Sequence, residues 1–145
     1  MSALLVYGVT GFTGALVSRE LARRGVAHRV AGRRAEAVTA HARSIPGQAS
    51  GRAFGLEDPA QLAAGLELGG GQALVVYHPW RAEQHGGQRA EVRIHGPEAY
   101  VFTARSAAVA AQHVLDGAVR PGFATPAQAL GTDWVRWLEG VEVQA

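Results

Sequence analysis

Three evenly spaced glycines leave the start of this chain few ways to fold. The apolar run Leu4-Leu5-Val6-Tyr7 leads straight into Gly8-Val9-Thr10-Gly11-Phe12-Thr13-Gly14. A short continuous apolar run suits a strand buried on both faces. Glycines at its end let the backbone reverse within a few residues, because glycine alone adopts positive φ without strain. Beyond them Leu16, Val17, Leu21 and Ala22 share one face of a helix expected from about Phe12 to Arg24, and Gly25 stops it. The segment therefore reads strand, tight turn, helix.

The same alternation continues. His28 to Gly32 reads as a second strand, and residues 35–44 as a helix ending before Pro46-Gly47. Residues 52–56 form a third expected strand. Asp58-Pro59 then opens a helix to about Leu66, with Asp58 as N-cap and Pro59 in the first helical position. Three strand–helix units in residues 1–68 imply parallel strands, as in one half of a doubly wound sheet.

The pattern breaks at Gly69-Gly70-Gly71. Residues 73–80 and 89–95 read as strands of an antiparallel hairpin across His85-Gly86-Gly87, with Val92 and Ile94 alternating against Arg93 and His95. An alanine-rich helix follows over residues 100–116, closed by Gly117. Thr125-Pro126 opens a last helix to about Leu138, and residues 141–143 read as a terminal strand. The expected fold class is α/β: a Rossmann-like parallel half-sheet of three β-α units, then a β-hairpin and two C-terminal helices. Residues 1–68 form the half-sheet unit and residues 69–145 pack on it in a single compact domain. The open edge of such a half-sheet needs cover, from the 73–80 strand or from a second subunit, which leaves a homo-oligomer open.

The first turn carries the chemistry. Gly8, Gly11 and Gly14 let the backbone approach a bound pyrophosphate, and the helix that starts at Phe12 and Thr13 offers free amides and a partial positive charge. The spacing G-x-x-G-x-x-G is one residue longer at the front than the commonest dinucleotide fingerprint. Thr10 and Thr13 suit either of two roles, donating hydroxyls to phosphate or capping the helix. After the second strand, where NAD binders often place a carboxylate for the ribose hydroxyls, stand Arg33 and Arg34. A guanidinium fork there suits a 2′-phosphate, so the expected cofactor is NADP(H) rather than NAD(H). Asp58, beside its capping role, stands where a carboxylate can meet an adenine edge.

Composition narrows the rest. There is no cysteine, hence no disulfide and no thiolate, and all 14 cations are arginine. Without lysine there is no Walker-A phosphate grip and no Schiff base. The arginines are scattered and the net charge is only +2, which argues against nucleic acid as a partner. Six histidines fall on different elements with no recurrent metal-ligand spacing, so no metal is expected. Trp80, Trp134 and Trp137 read as packing anchors. No apolar run approaches the roughly 20 residues that span a bilayer. Residues 1–6 lack the pattern of a secretory signal, so the expected location is cytoplasmic.

The stretch Tyr7 to Gly14, continued by Leu21-Ala22-Arg23-Arg24-Gly25, Ala31-Gly32-Arg33 and Asp58-Pro59, resembles the opening of saccharopine dehydrogenase-like oxidoreductases, including the trans-acting enoyl reductase type. Gly96-Pro97-Glu98-Ala99-Tyr100 with its alanine-rich helix, Arg120-Pro121-Gly122-Phe123 and Thr125-Pro126-Ala127 resemble that family's closing segment. The resemblance implies NADP binding at Gly8, Gly11, Gly14, Arg33 and Asp58. It matches no catalytic residue, because the family's middle region has no counterpart here. Three readings stand: an NADP-dependent oxidoreductase, a non-catalytic nucleotide-sensing or interaction module, and a deletion remnant without ligand.

Overall fold

The computed structural model describes residues 4–46, 51–67 and 93–144. Its elements are strand β1 (Leu4–Tyr7), helix α1 (Phe12–Arg23), strand β2 (His28–Gly32), helix α2 (Ala35–Ser44), strand β3 (Gly51–Ala53) and helix α3 (Pro59–Glu67). After residues 68–92, outside the described set, come β4 (Arg93–His95), α4 (Ala99–Leu115), α5 (Pro126–Leu130), a 3-10 turn over Thr132–Trp137, and β5 (Glu142–Gln144).

β1, β2 and β3 form a parallel sheet in that order, with Leu4 opposite His28 and Val30 opposite Gly51. The three strand–helix units expected for residues 1–68 are thus present. β3 is shorter than expected: beyond Ala53 the amide of Phe54 still donates to the Gly32 carbonyl, but the chain then leaves the sheet. Phe54 turns its ring to Tyr7, at 5.1 Å between centroids, and its carbonyl accepts from the Tyr7 hydroxyl at 2.8 Å.

The second sheet is separate, two-stranded and antiparallel, with Ile94 opposite Val143. The first strand of the expected hairpin, residues 73–80, lies outside the described residues, and so does the expected cover for the β1 edge. The helix expected from Thr125 to Leu138 stops at Leu130. Gly131, at φ +85°, breaks it, and the chain continues as a tighter 3-10 turn. Trp137 there stacks on His113 of α4, ring centroids 5.0 Å apart.

α1 is the centre of the packing. It ends in a Schellman motif, as Gly25, at φ +71°, donates to Ala22 and Val26 donates to Leu21. That arrangement folds Val26 back onto Leu21. Both join Leu4 of β1 and Ala108 and Ala111 of α4 in one apolar cluster. The alanines let α4 lie close to α1. The two run side by side in the same direction, since Phe12 meets Tyr100 at their starts and Leu21 meets Ala108 further along. At its C-terminal end Glu20 binds Arg23 and Arg24, and Arg23 also reaches Glu139 at 2.7 Å, tying α1 to the segment before β5. Arg105 of α4 donates to the carbonyl of Glu139.

On its other flank α1 meets α2 through a buried polar chain that the sequence reading did not anticipate. Ser18 Oγ lies 2.8 Å from His28 Nε2 and 3.1 Å from His41 Nε2. His28 Nδ1 faces the Val26 carbonyl at 3.0 Å, which can only accept, so that nitrogen carries the proton. Its Nε2 then accepts from the Ser18 hydroxyl, whose oxygen in turn accepts from His41 Nε2–H. Every polar atom between His41 Nε2 and the Val26 carbonyl thus has a partner.

Burial, with Arg19 and His28 adding repulsion, holds the His41 imidazole below its ordinary 6.5. The unfolded chain therefore takes up this proton first as pH falls. The contribution to stability is complete above about 6.5 and is lost as pH drops through the lower folded value. Glu20 behaves alike at lower pH, held down to about 2 chiefly by the Arg23 hydrogen bonds. Thermal unfolding followed against pH is expected to show a midpoint that declines from about pH 6.5 downward. His41→Gln, which keeps a donor for Ser18, should flatten the decline between about pH 6.5 and 4.5 and leave the lower part. Parallel curves for the two proteins would sink this assignment.

Candidate functional site

The glycine turn sits where β1 delivers the chain to α1, and each glycine answers to a different constraint. Gly8 has φ +87°, and its amide donates to the Ala31 carbonyl at 2.8 Å, locking the turn to the end of β2. A Cβ on Gly14 would lie 2.3 Å from the Gly8 carbonyl oxygen, so only a bare residue lets the first turn of α1 pack on the loop. Gly11 has neither excuse. Its φ of −97° suits any residue, and an added Cβ would come no nearer than 3.4 Å, to Gly8 O. Nothing within the described protein requires glycine there.

Gly11 is also the N-cap of α1, and no side chain caps this helix. The amides of Phe12, Thr13 and Gly14 donate to no acceptor among the described residues, and no acidic residue stands in the first turn. Three other helices are closed: Asp58 caps α3, Glu98 caps α4 and Thr125 caps α5 in a reciprocal capping box with Gln128, whereas α2 has no side-chain cap but carries Glu36 in its first turn. Uncapped first-turn amides with the positive end of the helix dipole favour an anion.

Of the residues the sequence singled out, Gly8, Thr10, Gly11, Phe12, Thr13 and Gly14 come together in this turn. Neither threonine caps the helix, which corrects that alternative: Gly11 occupies the cap position instead. Thr10 lies against Gly32, whose added Cβ would meet Val38 Cγ2 at 3.2 Å and Thr10 Cγ2 at 3.5 Å. That close packing sets the end of β2 beside the turn, and Arg33 and Arg34 follow directly. Both arginines are exposed and their side chains make no hydrogen bond or ion pair among the described residues; Arg34 is the N-cap residue of α2, its carbonyl accepting from the Val38 amide. Asp58 is engaged elsewhere. Its Oδ1 accepts from Ala60 at 2.9 Å and Gln61 at 3.3 Å, and no hydrogen bond or ion pair joins it to the turn.

Two residues at this rim escaped the sequence reading. Tyr100, in the first turn of α4, meets Phe12 edge-to-face, ring centroids 4.9 Å apart at 86°. Glu98 accepts from the Tyr100 and Val101 amides, filling the start of α4 with a carboxylate. The tertiary pairing of α1 with α4 creates this neighbourhood, and the spacing of either segment carries no sign of it.

Comparison of the chain with protein-family models, with curated proteins and with solved structures returns no match.

The glycine roles make a direct test. Gly14→Ala is expected to lower stability by about 1–3 kcal/mol, the usual range for overpacking a close contact. Gly11→Ala should leave the unfolding midpoint nearly unchanged, because its Cβ meets only one atom, at 3.4 Å. Equal losses in the two variants, measured by denaturant titration, would contradict these assignments.

Proposed function

We propose that this chain binds NADP(H), with the diphosphate on the Gly8–Gly14 turn and the 2′-phosphate at Arg33, as part of a saccharopine dehydrogenase-like oxidoreductase lineage. The parallel sheet is then the first half of a doubly wound dinucleotide fold. One observation carries the reading: Gly11 is bare without any internal need, beside three first-turn amides left without acceptors. In the dinucleotide turn the middle glycine is bare so that the diphosphate can approach the backbone.

The residues fit the ligand at both ends of its phosphorylated half. The turn accepts the diphosphate through backbone donors. Arg33 and Arg34 stand free at the end of the neighbouring strand, where the adenosine ribose of such a ligand lies. A carboxylate there would repel a 2′-phosphate, and a guanidinium holds it by a charge-assisted hydrogen bond. Asp58 caps α3 through Oδ1. When bound, the nicotinamide supplies hydride transfer, and the protein's share is binding and orientation.

Calorimetric titration with NADPH and NADH tests the reading. Gly11→Val is expected to remain folded and to lose binding of both, because its side chain fills the space of the diphosphate. Arg33→Ala should weaken NADPH about tenfold or more, the equivalent of losing a charged hydrogen bond of about 1.5–3 kcal/mol. NADH should be nearly unaffected, and the NADPH preference should shrink as salt rises. Unchanged NADPH affinity in folded Gly11→Val would overturn the phosphate cradle. Equal wild-type affinity for NADPH and NADH would overturn the role of Arg33.

A further inference from the structure

The rim that holds the glycine turn is electrostatically lopsided. α1 lies between α2, joined through the Ser18–His41 hydrogen bond, and α4, joined through Leu21, Ala108 and Ala111. α1 and α4 run in the same direction, so the start of α4 flanks the turn on the side away from α2 and its arginines. On the α2 side stand two free guanidiniums, with one carboxylate, Glu36, in the first turn of α2. On the α4 side Glu98 places a carboxylate on that helix's own first-turn amides, leaving them closed to an anion.

Beside that carboxylate is an aromatic pair with little cover. Phe12 is 66% exposed and Tyr100 50% exposed, and they touch each other edge-to-face. Phe12 directly follows the bare Gly11. The Tyr100 hydroxyl has no hydrogen-bond partner among the described residues. Large aromatic rings left in water at a ligand turn lose the burial that normally stabilises them, and a planar ligand ring restores it. Glu98 selects against an anionic group in that place.

We infer that Tyr100, supported by Phe12, is a binding residue for the second ring of the ligand, a planar group that is neutral or cationic. The inference rests on the phosphate reading of the turn and adds to it. It makes the ligand a dinucleotide lying across α1, its phosphorylated ribose toward α2 and its far ring toward α4. An adenosine bisphosphate would occupy only the half on the α2 side. The nicotinamide ring, neutral when reduced and cationic when oxidised, has the required character.

The test compares NADPH with adenosine 2′,5′-bisphosphate on wild type, Tyr100→Ala, Tyr100→Phe and Gly11→Val, with the unfolding midpoint of each variant as a control for folding. Wild type is expected to bind NADPH more tightly than the bisphosphate. Tyr100→Ala should weaken NADPH by roughly fivefold or more, on the scale of one aromatic stack, and leave the bisphosphate within about twofold. Tyr100→Phe should behave as wild type, and Gly11→Val should lose both ligands. Equal wild-type affinity for the two ligands, or equal weakening of both by Tyr100→Ala, would overturn the role of Tyr100 while the phosphate site stands. Wild type binding neither ligand would overturn the phosphate reading, and the inference with it.

Discussion

The backbone contact between Gly14 and Gly8 is the constraint on which the rest of this structure depends. The first turn of α1 lies directly on the loop that leaves β1, with room for a hydrogen and no more. Were the helix held further out, Leu21 would leave the cluster it shares with Leu4 and Val26, and Ser18 would lose reach of both histidines. Interior packing is too dense to absorb such a shift locally. One missing side chain at the start of α1 therefore fixes the depth of the whole helix.

From that seat α1 organises both neighbours by different means. Toward α4 the contact is apolar and close, with Ala104, Ala107, Ala108 and Ala111 all buried. Small side chains let the helices approach without selecting one register strongly. The register is set by the Phe12–Tyr100 contact at the helix starts and through Glu139, which pairs with Arg23 of α1 and whose carbonyl accepts from Arg105 of α4. Exposed ion pairs are worth at most about 1 kcal/mol, so Arg23 acts more to align than to hold. Toward α2 the contact is polar and buried, and a buried hydrogen-bonded chain tolerates little sliding, because each atom left unpaired costs about 1–3 kcal/mol.

The local devices were legible in the sequence. Gly8 and Gly25 announced a tight turn and a helix stop, and Asp58-Pro59 a capped start, because each acts through its own backbone or through amides two or three residues away. Helix α2 came out at its expected bounds for the same reason. What escaped depends on residues distant in the chain. His28 and His41 looked like scattered histidines until the fold brought them to Ser18. Tyr100 sits 88 positions from the Phe12 ring it touches (100 minus 12). Gly131 was visible, yet helical spacing on either side of it suggested a continuous helix. Its positive φ divides that segment into α5 and a 3-10 turn. Asp58 was legible as a cap for the same local reason, and its Oδ1 closes the start of α3 as expected.

The buried Ser18 chain also bears on the site, although it lies beneath it. Arg34 begins α2, and His41 stands on that same helix, so the helix carrying one guanidinium is fastened to α1 by a hydrogen bond at 3.1 Å. Near the rim, Val38 of α2 closes on Gly32 and Thr10, leaving no space for a Cβ without movement. The start of α2 is thereby fixed against the glycine turn at two points along its length, one polar and one steric. A pair of exposed arginines on a loosely held helix would spend its attraction for phosphate on ordering that helix. Here the backbone is already ordered, so a phosphate bound as proposed would have only the side chains left to immobilise, which would keep more of the interaction as affinity. The same fastening explains how so small a sheet can present a defined rim of uncapped amides and exposed guanidiniums: the strands set the positions, and the helix-to-helix contacts above them set the angles.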